Sequence, residues 1–474
     1  MSEVAAVILA AGKGTRFRSE TAKVRHRAAG RSLIGHVLEA VRPLGLAQVL
    51  VVVGHQAEEV RAEVEAVGVP GTTTVLQLEQ RGTGHAVQQA MPALEPGIDR
   101  VLVLPGDTPL LTSTTLQHLL AAGAEETSAP RDGGAPTAAG VTTGGAMLTA
   151  HLDDPTGYGR VLRTPDGQVA RVIEHRDAPE TVRAITEINA GMYVFDRGRL
   201  EASLADLGDD NAQGEVYLTD VLARLVDDGA PVLPVSASAG EIAGVNDRAQ
   251  LADAARALRA RHLEHLMVEV GVSVTDPATT YVDVDVEVGV DAHLLPGTIL
   301  ERGTRLAARA VVGPHSHLVA CSVGEDATVH STRAERATIG AGASVGPFTH
   351  LRPGTVLGER TKVGAFAETK NATLGEGSKV PHLAYVGDAT IGERVNIACG
   401  VITVNYDGRT KSHTTIEDGA FVGCDTMLVA PVTIGEGAYT AAGSTITDDV
   451  PAGSLAIARS RQTTKEGWSD RRRG

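Results

Sequence analysis

The chain lacks most of what marks a secreted, membrane-bound or nucleic-acid-binding protein. Its three cysteines, Cys321, Cys399 and Cys424, are too few and too scattered among 474 residues for a disulfide framework or a zinc cluster. They fit a reducing cytosol and read as small core residues. Aromatic residues make up only 3% of the chain, so alanine and aliphatic side chains must fill the core. No apolar run is long enough to span a bilayer. The opening MSEVAAVILAAG lacks the basic start of a signal peptide and runs straight into a glycine loop, so the expected location is cytoplasmic. A formal charge of −15 argues against nucleic acid or an anionic membrane as partner, since both need basic patches. Phosphates can still be held locally. The length predicts two or three domains.

What the chain has instead is a count of six. Val282, Val288, Leu294, Leu300, Leu306, Val312 and Leu318 place an aliphatic side chain at every sixth position. After a slip the count resumes at Ile339, Val345, Leu351, Leu357 and Val363, and again at Ile416, Val422, Leu428 and Ile434, often with glycine next, as at Gly340, Gly364 and Gly435. Neither a helix nor an alternating strand has this period. A hexapeptide repeat predicts a parallel β-helix, three short strands to a coil, with the aliphatics stacked inward. Coils must be added in series because none buries its core alone, and the product is a stiff prism. Sites are expected where the rhythm breaks, above all at ITVNYDGRTKSHTT, 402–415, an excursion loop.

In the amino-terminal half, an apolar run from Val4 to Leu9 ends in Ala10, Ala11, Gly12, Lys13, Gly14, Thr15 and Arg16, before a helical stretch from about Leu33 to Val41. Apolar runs at 49–53 and 101–104 alternate with helical patterns at 57–67 and 84–91, the rhythm of a mostly parallel, Rossmann-like α/β sheet. Ligands of such sheets bind beyond the strands' carboxyl ends, and glycines there let backbone N–H groups approach phosphate. GKGTR is neither the dinucleotide fingerprint nor the common ATPase loop, and a bare glycine turn is structural as often as not. Arg16 and Lys23 just downstream favour a triphosphate. A lone Asp after a strand is more often a turn residue, but Asp107, ending VLVLPGD, is a hard oxygen ligand suited to Mg²⁺. Leu251, Ala255, Leu258, His262 and His265 recur at helical spacing and predict a connecting helix; the two histidines are read as stripe residues and no metal is assigned to them. The segment 128–145, rich in Gly, Ala, Thr and Pro, reads as a mobile surface loop.

LAAGKGTR at 9–16 with Lys23 resembles the signature of the sugar-phosphate nucleotidyltransferases. QLEQRGTGHA (77–86), GD (106–107), DPTGYGR (154–160), VIEH (172–175), EINAG (187–191), NAQGEVYLTD (211–220) and GVN (244–246) narrow the resemblance. So do HLRPG (350–354), ETKNA (368–372), VPHLAYVGD (380–388), VNIACG (395–400) and VNYDGRTK (404–411) within the repeat. Over nearly the whole chain they resemble a family of bifunctional bacterial enzymes that join an N-acetylglucosamine-1-phosphate uridyltransferase to a glucosamine-1-phosphate acetyltransferase.

The resemblance implies a uridyltransferase domain over 1–247, a linker helix over 248–270 and a left-handed parallel β-helix with a tail over 271–474, assembled as a homotrimer. It implies that Leu9, Ala10, Ala11, Gly12, Lys23, Gln77, Gly82, Thr83, Pro105 and Gly106 meet the uridine nucleotide, that Gly159, Glu174 and Asn189 meet the sugar, and that Asp107 and Asn246 ligate Mg²⁺. The uridylyl step needs no protein nucleophile, only positioning and charge neutralisation, in which Arg16 and Lys23 share. In the other half it implies that Arg352, Lys370, Tyr385, Asn396 and Lys411 bind glucosamine 1-phosphate, that His382 is the general base, and that Cys399, Asn405, Tyr406, Cys424, Ala442 and Arg459 fall at acetyl-CoA positions. A histidine suits removal of a proton from an attacking amine, and two cations can hold a sugar phosphate without a metal. The co-substrates are then acetyl-CoA and UTP.

Four positions depart from the family pattern: Ala22 stands for a usual proline, Pro105 for a common aromatic, and Cys424 and Cys399 for serine and alanine. None removes a charged group, and changed loop stiffness is expected at Ala22. The tail KEGWSDRRRG is expected to lie partly ordered near the cofactor cleft. Two rival readings are a nucleotidyltransferase whose β-helix only regulates or assembles, and a scaffold that has kept both folds without chemistry. Free thiol and pyrophosphate, followed separately, discriminate all three.

Overall fold

Residues Glu3–Ala10 form a strand buried on both faces, with Ala5, Ala6, Val7 and Ile8 fully enclosed, as a near-continuous aliphatic run requires when helices cover both sides of a sheet. In this computed structural model residues 3–124, 126–127, 141–165 and 167–472 are described. Most of the expected loop, 128–140, lies outside them. The strand runs parallel to Gln48–Val53 on one side and to Ile98–Pro105 on the other, and Thr72–Leu76 extends the parallel set. Strands Gly145–His151, Arg160–Arg163, Val169–Ile173 and Glu187–Asp196 continue the sheet in antiparallel pairings. The helices Leu33–Val41 and Ala57–Val67 fall where the periodicity places them. The first begins at Ser32, whose hydroxyl accepts the Gly35 N–H at 3.1 Å, a cap of about 1 kcal/mol.

The chain divides into two compact units, Met1–Leu258 and Arg259–Gly474. The boundary falls inside the connecting helix Arg248–His265, whose last turn loosens into a π-turn at Leu266–Val270. The helix buries Ala254, Leu258 and Leu263 rather than Leu251 and Ala255, a stripe displaced from the expected one.

The second unit is a left-handed β-helix of two-residue to seven-residue strands. One face is an eleven-stranded parallel sheet, and the other two join in a seventeen-stranded one. Every sixth-position aliphatic named above is buried. The slip has a simple cause. Val282 pairs with Leu300 eighteen positions on, but Leu318 pairs with Ala334 and Val323 with Ile339, sixteen positions on, so two coils here are shortened and the inward position arrives after five. Buried Thr and Ser hydroxyls, which the aliphatic count overlooks, occupy positions two residues before many of these aliphatics. Thr298, Thr304, Thr355 and Thr426 each donate to a corner carbonyl at 2.7–2.8 Å, satisfying groups that burial would otherwise leave unpaired.

The glycines that follow the aliphatics answer to crowding between coils. A Cβ on Gly364 would lie 2.0 Å from the Pro381 carbonyl oxygen, and one on Gly340 2.6 Å from Gly358 backbone. Gly364→Ala is therefore expected to destabilise the prism by about 1–3 kcal/mol or more, comparable to the about 2–5 kcal/mol expected for Leu351→Ala in the core. Denaturant midpoints of the two variants, against an exposed control such as Gly208→Ala, where a Cβ meets nothing within 4 Å, check this.

Candidate active sites

The carboxyl ends of the parallel strands open onto a cavity of about 580 Å³. Of the residues expected to meet nucleotide, sugar or metal, Leu9, Ala10, Ala11, Gly12, Lys23, Gln77, Gly82, Thr83, Pro105, Asp107, Glu174, Asn189 and Asn246 line it. Arg16, Gly106 and Gly159 do not line it, but each touches a residue that does: Arg16 Asn246, Gly106 Leu9 and Gly159 Asn189. The Gly106 N–H donates to the Leu9 carbonyl at 2.9 Å and the Val245 N–H to the Asp107 carbonyl at 2.9 Å, which fixes three loops against one another. Gly82 has φ 109°, and a Cβ there would lie 2.5 Å from the Val216 carbonyl oxygen. Only glycine lets the helix Thr83–Ala90 begin at the cavity wall, where its dipole favours an anion.

Lys23 donates to the Asp107 carboxylate and, at 3.3 Å, to Asn246 Oδ1, which also accepts from Arg16 at 3.0 Å. The two expected metal ligands thus aim their oxygens at one cationic point. Ala22 explains its own departure from proline. Its backbone has φ −54°, within proline's range, and its N–H, which proline lacks, donates to Gln56 Oε1 at 2.7 Å. Gln56 Nε2 donates in turn to the Glu20 carbonyl at 2.5 Å. One amide therefore clamps the segment that presents Lys23.

Among the residues expected to meet the sugar, Gly159 leaves room for Val172, whose Cγ1 would lie 2.8 Å from a Cβ there, and its carbonyl accepts the Asn189 N–H at 2.9 Å. Asn189 Nδ2 donates to the Tyr193 hydroxyl at 2.6 Å, leaving Oδ1 to accept the Gly191 N–H at 3.0 Å. Burial raises the Tyr193 phenol's pKa. Burial likewise pushes the Glu174 carboxyl above the ordinary carboxylate range; the Thr219 hydroxyl partly offsets this, while Asp177, Asp220 and Glu215 add to it.

In the second unit the coil register, rather than a closed cavity, gathers the residues. Glu368 pairs with Tyr385 and Lys370 with Gly387. Arg352 donates to Glu368 at 2.8 Å. Lys411, beside Lys370, lowers the Lys370 ammonium's pKa, and Arg352 adds to the effect while Asp388 opposes it. Arg352, Lys370 and Lys411 thus form one cationic cluster, with Tyr385 beside Arg352. The excursion is shorter than the expected 402–415: Ile402–Val404 and Thr414–Ile416 are strands of the prism, because Thr403 and Thr414 still point inward, and only 405–413 leave it. Ile391 therefore pairs with Ile416 twenty-five positions on, and within the excursion Tyr406 bridges Lys411 as a hairpin. His382 is exposed at a corner of the neighbouring face, in register with Ala365, and Asn396 lies on that face above Lys379. Cys399, Cys424 and Ala442 follow in successive coils, the Asp425 N–H donating to the Cys399 carbonyl and the Gly443 N–H to the Cys424 carbonyl, both at 2.8 Å. Only Cys321 is the core residue expected of all three thiols; Cys399 is half-buried and Cys424 exposed, because both sit on the outer side of the wall. Arg459 is exposed, as is Trp468, which stacks with Arg472 at 4.9 Å.

The chain resembles known proteins along its whole length. Residues 6–182 match the MobA-like NTP transferase domain, and residues 413–448 match the bacterial transferase hexapeptide (six repeats). The bifunctional protein GlmU of Streptomyces avermitilis is 51% identical over 472 residues, covering 99% of this chain and 94% of that one. GlmU of Mycolicibacterium gilvum is 49% identical (100% and 93% covered), and that of Exiguobacterium sibiricum 49% identical (98% and 99% covered). The chain belongs to the GlmU family. As a GlmU it is a bifunctional transferase, a nucleotidyltransferase followed by a hexapeptide acyltransferase.

Sequence reasoning did not single out Tyr158, Leu218, Thr219 and Gly244, which line the first cavity, nor Glu368 and Asp388 in the second site. Each falls inside or beside a motif already quoted, so position within DPTGYGR, ETKNA or VPHLAYVGD was the available signal.

Glu174 carries a sign that can be checked. Its raised pKa means that it costs the fold nothing below its unfolded pKa, and that stability is lost as pH rises through the folded value. Glu174→Gln, which keeps an acceptor for Thr219, is expected to melt higher than the parent at pH 8, with the gap closing toward pH 4. Loss of a charge-assisted contact of about 1.5–3 kcal/mol should raise the sugar-phosphate KM of the nucleotidyl step about tenfold or more. In the second site Lys370 should lose its proton at a lower pH than an ordinary lysine. The KM for sugar phosphate in acyl transfer is therefore expected to climb earlier on the alkaline side than it does in Lys411→Met, whatever that variant's KM at neutral pH.

Proposed function

We propose that the residues gathered above carry two consecutive transfers. Acetyl passes from acetyl-CoA to the amine of glucosamine 1-phosphate in the carboxyl-terminal unit. The product's phosphate oxygen then attacks the α-phosphorus of UTP in the amino-terminal unit, pyrophosphate leaves, and UDP-N-acetylglucosamine, a cell-envelope precursor, is formed. The observation that supports the reading best is the first cavity. Residues from 9 to 246, scattered through a quarter of a thousand positions, share it at the strands' carboxyl ends.

In the nucleotidyl step the loop 9–12 and Gln77, Gly82 and Thr83 hold the uridine nucleotide, while Glu174 and Asn189 orient the sugar. Lys23 and Arg16 offset charge on the phosphates. Asp107 and Asn246 would hold Mg²⁺: two hard oxygens directed at one point suit an ion that takes one or two protein ligands and completes its shell with phosphates and water. When bound, such an ion neutralises charge that develops on the phosphates. In the acyl step Arg352, Lys370 and Lys411 hold the sugar phosphate with Tyr385 and Asn396. His382 takes the amine's proton as the nitrogen attacks the thioester carbonyl, and the thiolate of coenzyme A leaves. Asn405, Tyr406, Cys399, Cys424, Ala442 and Arg459 flank the cofactor.

The acyl site lies open on a single prism, which favours completion by copies of the chain. Phe348 and Phe366, each 62% exposed and stacked at 5.5 Å, form a ridge with Leu383 along one corner, an apolar surface suited to burial in a homotrimer. Among the described residues no helix is long and apolar enough to cross a membrane, in keeping with work in the cytoplasm on soluble substrates.

The test follows thiol and pyrophosphate separately in protein supplied with glucosamine 1-phosphate, acetyl-CoA, UTP and Mg²⁺. His382→Ala is expected to cut thiol release about 10²-fold or more, while pyrophosphate release from N-acetylglucosamine 1-phosphate persists. Asp107→Ala should do the reverse. Loss of both signals from either change in a folded protein would overturn the two-site assignment.

A further inference from the structure

We infer that Asp388 is a positioning residue for acyl transfer, pinning the 405–413 hairpin to the prism through Asn405. At one corner of three successive coils the chain places Asn371, Asp388 and Asn405. The Asp388 carboxylate accepts from Asn371 Nδ2 at 2.7 Å through one oxygen and from Asn405 Nδ2 at 2.5 Å through the other. It is only 9% exposed, and its φ of 48° lies in the left-handed region, as does that of Asn371 at 45°. Asp and Asn are the side-chain-bearing residues that tolerate this conformation best. The conformation suits this pair, although other corners hold it with residues such as Phe348, Arg360 and Leu383; here the two side chains meet.

Asn405 is the root of the hairpin. Its carbonyl accepts the Ser412 N–H at 2.9 Å, and the next residue, Tyr406, bridges Lys411. The other leg is tied by His413 to Thr390 at 2.9 Å. Asp388 thus holds the leg that leads to Tyr406 and Lys411. Its charge also sits among those of Lys370 and Lys411, so one carboxylate serves both as anchor and as counter-charge to two crowded ammonium groups. An asparagine at 388 presents one oxygen and one N–H₂, so it can accept from only one of the two facing amides, and the other must turn over to keep a bond; the charge is lost in either case.

This inference rests on the acyl-transfer reading, under which Asn405 and Tyr406 flank acetyl-CoA. Asp388→Asn in the full chain is expected to raise the KM for acetyl-CoA about tenfold, with kcat within about threefold, to lower the melting temperature by no more than a few degrees, and to leave the nucleotidyl activity unchanged. Asn405→Ala added to it should cost little more, because the two act as one unit. Asn371→Ala, which leaves the Asp388–Asn405 bond intact, should keep the parent's KM. If Asp388→Asn does not fold, Asp388→Glu, which keeps the charge but displaces it by a methylene, should show the same KM rise. A folded position-388 variant with a KM for acetyl-CoA within twofold of the parent, or full additivity with Asn405→Ala, overturns the inference. A parent protein that releases no thiol from acetyl-CoA would instead overturn the functional reading beneath it.

Discussion

The closeness of one coil's backbone to the next is the constraint on which the second unit depends. Adjacent strands of a parallel sheet stand about 4.8 Å apart, and the inward aliphatics can stack only if each coil closes in a nearly constant number of residues. That closure sets the height of every outward side chain. Residues seventeen positions apart, such as Lys370 and Gly387 or Asp388 and Asn405, meet because the core below them has counted correctly. Glycines at Gly340 and Gly364 permit the approach, and corner hydroxyls such as Thr355 satisfy the carbonyls it buries.

The same constraint explains what could be read from the chain alone. The six-residue count exposes the prism because burial acts on every inward position without exception, and the parallel strands of the first unit are legible because they are apolar on both faces. The excursion stands out because polar residues interrupt the count, but its ends do not: 402–404 and 414–415 remain strands of the prism, and only 405–413 leave it. What stays hidden is which outward residues touch. Asp388 in VGD reads as an ordinary turn acid, and its partners Asn371 and Asn405 are distant in sequence. Gln56 likewise gives no sign that it compensates for Ala22, since that bond depends on a loop thirty-four positions away. The five-residue spacing between Leu318 and Val323 looks like a lapse in the pattern, but is a shortened coil.

The family match and the geometry bear on different questions. Identity near 50% across the whole chain places the protein among the GlmU enzymes, yet says nothing of why cysteine is tolerated at 399 and 424. The geometry does: both lie on the outer wall, and the contacts that hold them in register run through their carbonyls, which any small residue would supply.

The two sites handle phosphate by different physics. In the first, Lys23 and Asp107 are shielded, with side chains 15% and 19% exposed, so their attraction is little screened, and any cation that takes the carboxylate must displace the ammonium. On the proposed reading a metal ion and Lys23 would compete for one position until a substrate phosphate gave Lys23 another partner, so that metal and nucleotide should bind with positive coupling. In the second site Lys411 is open to solvent, Lys370 is half-buried and the two crowd each other, so that on the proposed reading a sugar phosphate would relieve repulsion within the cluster. A buried anchor, Asp388, keeps that repulsion from opening the hairpin. Salt should therefore weaken the acyl site's hold on its sugar phosphate more than the nucleotidyl site's, because screening acts on exposed charges far more than on shielded ones.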